Sequence, residues 1–170
     1  MAIGFHQSPV TSHEWSPRLP PVNPEIIELA RRTAAAHGLE PALVCAVIEQ
    51  ESAWDQWAVR YEPAFLSRYV APLYTAGKLS ATETYTRSMS WGLMQVMGQV
   101  ARESGFDGPS LAELCDPPTG VEWGCRLLAK RLERAHGDVA AALLAWNGGA
   151  NPAYPAEVLS RARNYSSKRP

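Results

Sequence analysis

The stretch Ala42 to Trp57, ALVCAVIEQESAWDQW, carries an acid where an apolar residue is due. Read as a helix, it places Val44, Val47 and Ile48 on one stripe, at i, i+3 and i+4. Glu51 continues that stripe, while Glu49 and Gln50 point elsewhere and read as ordinary solvated positions. A carboxylate beside Val and Ile costs free energy unless it is paired, hydrogen-bonded or protonated. Desolvation raises its pKa, and a carboxyl that keeps its proton near neutral pH can act as a general acid. The plain alternative is a helix-end Glu that has escaped to solvent, because this helix must end near Ser52 to Asp55. A second carboxylate, Glu62, stands in Arg60-Tyr61-Glu62-Pro63. The residue before a proline is pushed out of helix. Glu62 therefore either turns toward Glu51 or stays at a helix start, paired with Arg60.

The elements that must position these acids are helical. Asn23-Pro24 reads as N-cap and N1 of a first helix, with Ile26, Ile27, Leu29, Ala30 and Thr33 inward and Gly38 as its stop. Pro41 opens the Glu51 helix, Pro63 a short one, and Ser80-Ala-Thr-Glu83 is a candidate capping box. The apolar pattern Leu93, Met94, Val96, Met97, Val100 predicts a helix from Trp91 to Glu103. Pro117 to His136 is the longest, with Val121, Cys125, Leu128 and Leu132 inward. The stretch after Asp138 is so apolar that it is expected at the centre of the core, and Asn147-Gly148-Gly149 stops it. Pro155 begins the last helix. No period-2 run of strand length stands out. The expected fold is all-α, one domain of about eight mostly short helices. Residues 1–22, rich in Pro, Ser and His, read as an extended N-terminal arm pinned by Trp15, and residues 23–170 as the domain. His6 and His13 read as surface residues.

Composition narrows the function classes. The chain has 170 residues, 46% hydrophobic and 19% charged, with a net charge of −1. That balance gives no general attraction to nucleic acid or to an anionic membrane. No apolar run is long enough to span a bilayer, so no membrane insertion is expected. The N-terminus lacks the basic and apolar regions of a Sec signal peptide. Cys45, Cys115 and Cys125 make an odd count with no metal spacing, and Cys45 and Cys125, in helical apolar patterns, read as core thiols, which favours synthesis in a reducing compartment.

Three further stretches join Glu51-Ser52-Ala53-Trp54: Ser90-Trp91-Gly92-Leu93-Met94-Gln95-Val96-Met97, Ala145-Trp146-Asn147-Gly148-Gly149 and Arg163-Asn164-Tyr165. In this order, over roughly residues 24–165, they resemble the lysozyme-like lytic transglycosylases of the soluble (SLT) type and their goose-type lysozyme relatives. The resemblance implies a lysozyme-like fold and Glu51 as catalytic acid. It implies that Ser52 holds the start of the site, that Met94 and Gln95 line a sugar groove, and that Trp146 stands where the family usually has Tyr. Asn147 matches the family's Asn, and Tyr165 its late Tyr that approaches the acid. The residue types agree with these roles. Gly92 lets backbone come close to a ligand. Gln95 and Asn147 can bond acetamido and hydroxyl groups, and the Trp146 face can pack on a sugar ring. Taken singly, Met94 and Tyr165 also read as packing residues.

The sequence departs from the family in further places, among them Gly98 where the family has a proline. The run between Glu51 and Gly92 is longer than usual, and is expected to border the groove as a lid or wall. Met97 stands where goose-type lysozymes carry an acid, so that second carboxylate is absent. The reading that follows is a lytic transglycosylase. It breaks the β-1,4 bond between N-acetylmuramic acid and N-acetylglucosamine in peptidoglycan glycan strands, with one Glu as acid and then base and a 1,6-anhydro product. No metal or organic cofactor is implied, and a monomer is expected. The competing readings are a hydrolytic muramidase or chitinase with Glu62, or else Asp55, as second carboxylate, and an inactive glycan-binding or virion structural module. A phage or prophage endolysin, made in the cytoplasm and acting on the cell wall, fits the free thiols, as does a virion-associated lysin.

Overall fold

The computed structural model describes residues 22–166. Apart from Val22, the expected N-terminal arm, including His6, His13 and Trp15, lies outside the described residues. Helix α1 spans Pro24–Ala36 and α2 spans Pro41–Ser52. Proline at N1 starts both, because it has no N–H to leave unpaired there. The Asn23 side chain caps α1 by accepting the Glu25 N–H at 2.9 Å. Helix α2 is the axis of the core. Ala42 to Ile48 are all buried, so it is enclosed on every side rather than along one stripe. Burying each of Val44, Val47 and Ile48 contributes roughly 1.5–3 kcal/mol. Cys45 and Cys125 are fully buried and Cys115 nearly so, and all three thiols are free.

After α2 the chain forms strand β1 (Val59–Tyr61), α3 (Pro63–Phe65), a π-helical stretch (Leu66–Val70), α4 (Ala71–Thr75) and α5 (Ala81–Arg87). Ser80 caps α5 by accepting the Glu83 N–H. The predicted helix from Trp91 to Glu103 does not form as one element. Met89–Trp91 is strand β2, Val96–Met97 is strand β3, and only Gly98–Glu103 is helix, α6. The three strands make an antiparallel sheet in the order β1-β2-β3, with Val59 opposite Trp91 and Ser90 opposite Met97. Two left-handed residues, Gly92 and Gln95, close the turn between β2 and β3, and no helix passes through such a pair. At Gly92 an added Cβ would lie 2.2 Å from the Leu114 carbonyl oxygen, so the turn sits directly on backbone.

A 3₁₀ turn (Leu111–Cys115), capped by the Ser110–Glu113 box, leads into α7 (Pro117–Arg134), then α8 (Val139–Trp146) and α9 (Tyr154–Tyr165). Helix α9 lies along α2, and α7 packs on α1 and α8. Helix α8 is not central as its composition predicts. Only Ala142 and Leu143 are buried, and Leu144 is 37% exposed, because α7 and α9 cover one side of it. The architecture is an all-α, lysozyme-like domain with a small sheet, and the sheet carries the turn that faces the end of α2.

Candidate active site

Helix α2 ends abruptly one residue after Glu51. Ala53 and Trp54 both take left-handed backbone, at φ 50° and 69°, which is uncommon for two non-glycine residues in a row. The Ser52 hydroxyl donates to the carbonyls of Ile48 at 3.1 Å and Leu93 at 2.9 Å. That second bond ties the helix end to the β2–β3 turn. Glu51 is thereby fixed at the last turn, with its side chain only 12% exposed.

Three donors surround its carboxyl. The Tyr154 hydroxyl donates to Oε1 at 2.5 Å and the Trp146 indole N–H to the same oxygen at 3.1 Å. The Arg60 guanidinium stands 3.7 Å from Oε2. Burial pushes the Glu51 pKa above the ordinary carboxyl value, and the bonds from Tyr154 and Trp146 and the Arg60 charge only partly offset it. Tyr154 is itself buried beside this carboxyl, and its hydroxyl is pushed far above the usual phenol range. It therefore remains a donor. The combination suits a carboxyl that holds a proton and can release it into a groove.

The groove is a cavity of about 540 Å³. Glu51 and Tyr154 line it together with Arg60, Glu62 and Phe65 from the long run after α2. Val96, Met97 and Val100 come from β3 and α6, Leu127 and Arg131 from α7, and Ala145 to Asn147 from the end of α8. Of the run between Glu51 and Gly92, the part from Arg60 to Phe65 and Ser90 border the groove, and residues 66–89 do not line it. Arg60 reaches both acids, because its Nε is 3.0 Å from Glu62 Oε1 while its Nη2 faces Glu51.

A comparison with protein-family models matches residues 28–167 to the Transglycosylase SLT domain. The chain belongs to this family. It is thereby an enzyme, a lytic transglycosylase that acts on peptidoglycan in the cell wall. Neither curated proteins nor solved structures gave a match. Among the described residues of this SLT domain, no group of three or more His, Cys, Asp or Glu is placed to hold a metal ion. No described helix is long and apolar enough to cross a membrane.

The motif residues of the SLT domain divide into two sets. Glu51, Trp146 and Asn147 line the groove, and so does Glu62 from the long run outside the motifs. Asn147 also accepts the Asn151 N–H at 2.9 Å, closing the loop after α8. Met94 does not line the groove. It is fully buried, with its thioether against Gly124, where an added Cβ would meet the sulfur at 2.2 Å. Gln95 reaches the groove edge, but its amide is occupied within the turn. It donates to the Ala58 and Gly92 carbonyls, both at 2.9 Å, and accepts from the Ser90 hydroxyl at 2.7 Å.

Tyr165 does not approach Glu51. Its hydroxyl donates to Glu49 Oε2 at 2.6 Å and accepts from the Trp54 indole at 3.0 Å. Helix α9 places Tyr165 about three turns beyond Tyr154, and it is Tyr154 that meets the acid. Glu49 and Gln50 are not simply solvated either. Arg161 donates to Glu49 at 2.7 Å and to Gln50 at 2.6 Å, clamping α9 to α2. Tyr154 was missing from the expected site, although Tyr154, Val158, Ala162 and Tyr165 form one helical stripe that could have revealed it. Asp55 caps the turn after α2, accepting the Trp57 N–H at 2.9 Å.

Proposed function

We propose that Glu51 is the single acid and base of a non-hydrolytic cleavage between N-acetylmuramic acid and N-acetylglucosamine. The supporting observation is a buried carboxyl on the groove wall with both bonded donors on one oxygen, Oε1, which leaves Oε2 without a hydrogen bond among the described residues. The Glu51 proton passes to the glycosidic oxygen as its bond to C1 of the muramic acid breaks. The resulting carboxylate then takes the proton of the C6 hydroxyl on the same sugar, and O6 bonds to C1. A 1,6-anhydro end forms, no water is consumed, and Glu51 regains its proton. Trp146 and Asn147 at the groove edge would hold the sugars, Trp146 by its ring face.

Glu62 supports the competing hydrolytic reading only through its place on the groove, and its pairing with Arg60 opposes that reading. The ion pair with Arg60 gives Glu62 a structural role at the start of α3, and Arg60 holds only its Oε1. The three free thiols suit an endolysin made in a reducing compartment and released to the wall. The test is digestion of purified sacculi followed by mass spectrometry of the muropeptides. Anhydro ends are expected, and reducing ends in their place would replace this mechanism with hydrolysis.

A further inference from the structure

A second cavity, of about 310 Å³, adjoins the groove and shares Val100, Leu127 and Arg131 with it. Its charged members are Lys130, Arg131 and Arg134, opposed by Glu103. The three cations stand at i, i+1 and i+4 near the end of α7, so Lys130 and Arg134 share a face and repel. No carboxylate among the described residues pairs with any of the three. One oxygen of Glu103 already accepts the Gln99 amide at 2.7 Å. The helix dipole favours cations in this last turn, and that accounts for the exposed Lys130 and Arg134. It does not account for Arg131. Its Nε is buried with no hydrogen-bond partner, and its guanidinium stands 5.7 Å from the centre of the Trp146 ring. A buried donor left unmade is costly, and because Arg131 lines both cavities, a shift of its side chain toward a ligand oxygen would relieve that cost.

We propose that Lys130, Arg131 and Arg134 form an anion subsite that binds a carboxylate of the peptide stem carried by the glycan strand. The proposal rests on the peptidoglycan-cleaving reading, since it places the stem beside the sugar packed at Trp146. A guanidinium fork matches a carboxylate in shape and charge. Sugar hydroxyls bring no charge to offset three cations on a chain whose net charge is −1.

The test uses the full chain carrying Glu51→Gln, so that strands bind without being cut. Calorimetry compares glycan oligomers that keep their stems with the same oligomers stripped by an amidase. Stem-bearing strands are expected to bind about ten-fold tighter or better, from one or two charge-assisted hydrogen bonds. Adding Lys130→Gln and Arg134→Gln is expected to collapse that ratio, as is raising the salt. A ratio that stays unchanged, or equal binding of both oligomers before substitution, would overturn the subsite. Displacement by inorganic phosphate but not by a free stem peptide would overturn the stem assignment in favour of a phosphate-bearing wall polymer. Cleavage of sacculi by the unsubstituted chain is measured alongside. Its absence, with the ratio effect intact, would count against the glycosidase mechanism and leave the subsite standing.

Discussion

Tyr154 and Trp146 both donate to Oε1 of Glu51, from opposite sides of the loop that joins α8 to α9. An oxygen that accepts two hydrogen bonds is a poor place for the carboxyl proton, so the proton belongs on Oε2, the oxygen nearer Arg60. With Glu51 as the proposed acid, the loop between these donors would set which oxygen carries out the proton transfer.

Glu51→Gln is expected to reduce cleavage of sacculi by ~10²-fold or more, the usual contribution of a general acid. The same variant should melt higher than the parent at neutral and alkaline pH. The folded pKa of Glu51 is raised, so the native protein binds more protons than the unfolded chain above the ordinary carboxyl range. Its stability is then lost as pH rises through the folded value, and Gln escapes that loss. The gap between the two melting temperatures should shrink as pH falls below the ordinary carboxyl value. A tenth or more of wild-type activity would rule out the assignment.

Tyr154→Phe removes a bond that holds the Glu51 pKa down. The alkaline limb of the kcat profile is expected to move to higher pH. Tyr165→Phe should leave that limb in place and instead lower stability by about 1 kcal/mol, because its hydroxyl links Glu49 to Trp54. Profiles in which only the Tyr165 variant shifts would reverse the two roles.

Glu62→Gln is expected to lower the rate less than about ten-fold, well short of the Glu51 effect. The muropeptides should keep their anhydro ends. Reducing ends in the parent, with a Glu62 variant as inactive as the Glu51 variant, would make Glu62 the water-activating base.

Gly92→Ala should destabilise the fold by at least about 2 kcal/mol, since it combines a left-handed backbone with a backbone clash. Gly77 is also left-handed, but an added Cβ there meets nothing within 4 Å, so Gly77→Ala should cost about 1 kcal/mol. Equal losses in thermal melts would show that the contact with Leu114 does not matter.

Most helix starts could be read from the chain, because each is written locally. Pro24, Pro41, Pro63 and Pro117 sit where a missing N–H is harmless, and Asn23, Ser80 and Asp138 offer capping oxygens. The hairpin could not. Its strands are three and two residues long, too short to establish a period, and Leu93, Met94, Val96 and Met97 fit a helical stripe equally well. The left-handed turn at Gln95 is held in part by a bond to Ala58, 37 residues away, and a distant partner of this kind leaves no local mark. The burial of Glu51 could be expected from its place after Val44, Val47 and Ile48, although α2 is enclosed on every side and has no single buried stripe. Met94 and Tyr165 were misplaced because the motif order locates an element but not which side chain of it faces the groove. Tyr154 was available on the same stripe, one helix length closer to the acid.

The three thiols have a practical consequence. Burial lifts Cys45 to about 11 and Cys125 to about 12, and raises Cys115 as well. A thiol attacks only as thiolate, so the intact molecule should be nearly silent toward alkylating reagents at neutral pH. Cys45 lies inside α2 and Cys125 inside α7, so each becomes reactive only when its own helix leaves the core. Alkylation followed site by site would then act as a built-in clock, showing whether the scaffold under Glu51 and the α7 helix open together or one before the other.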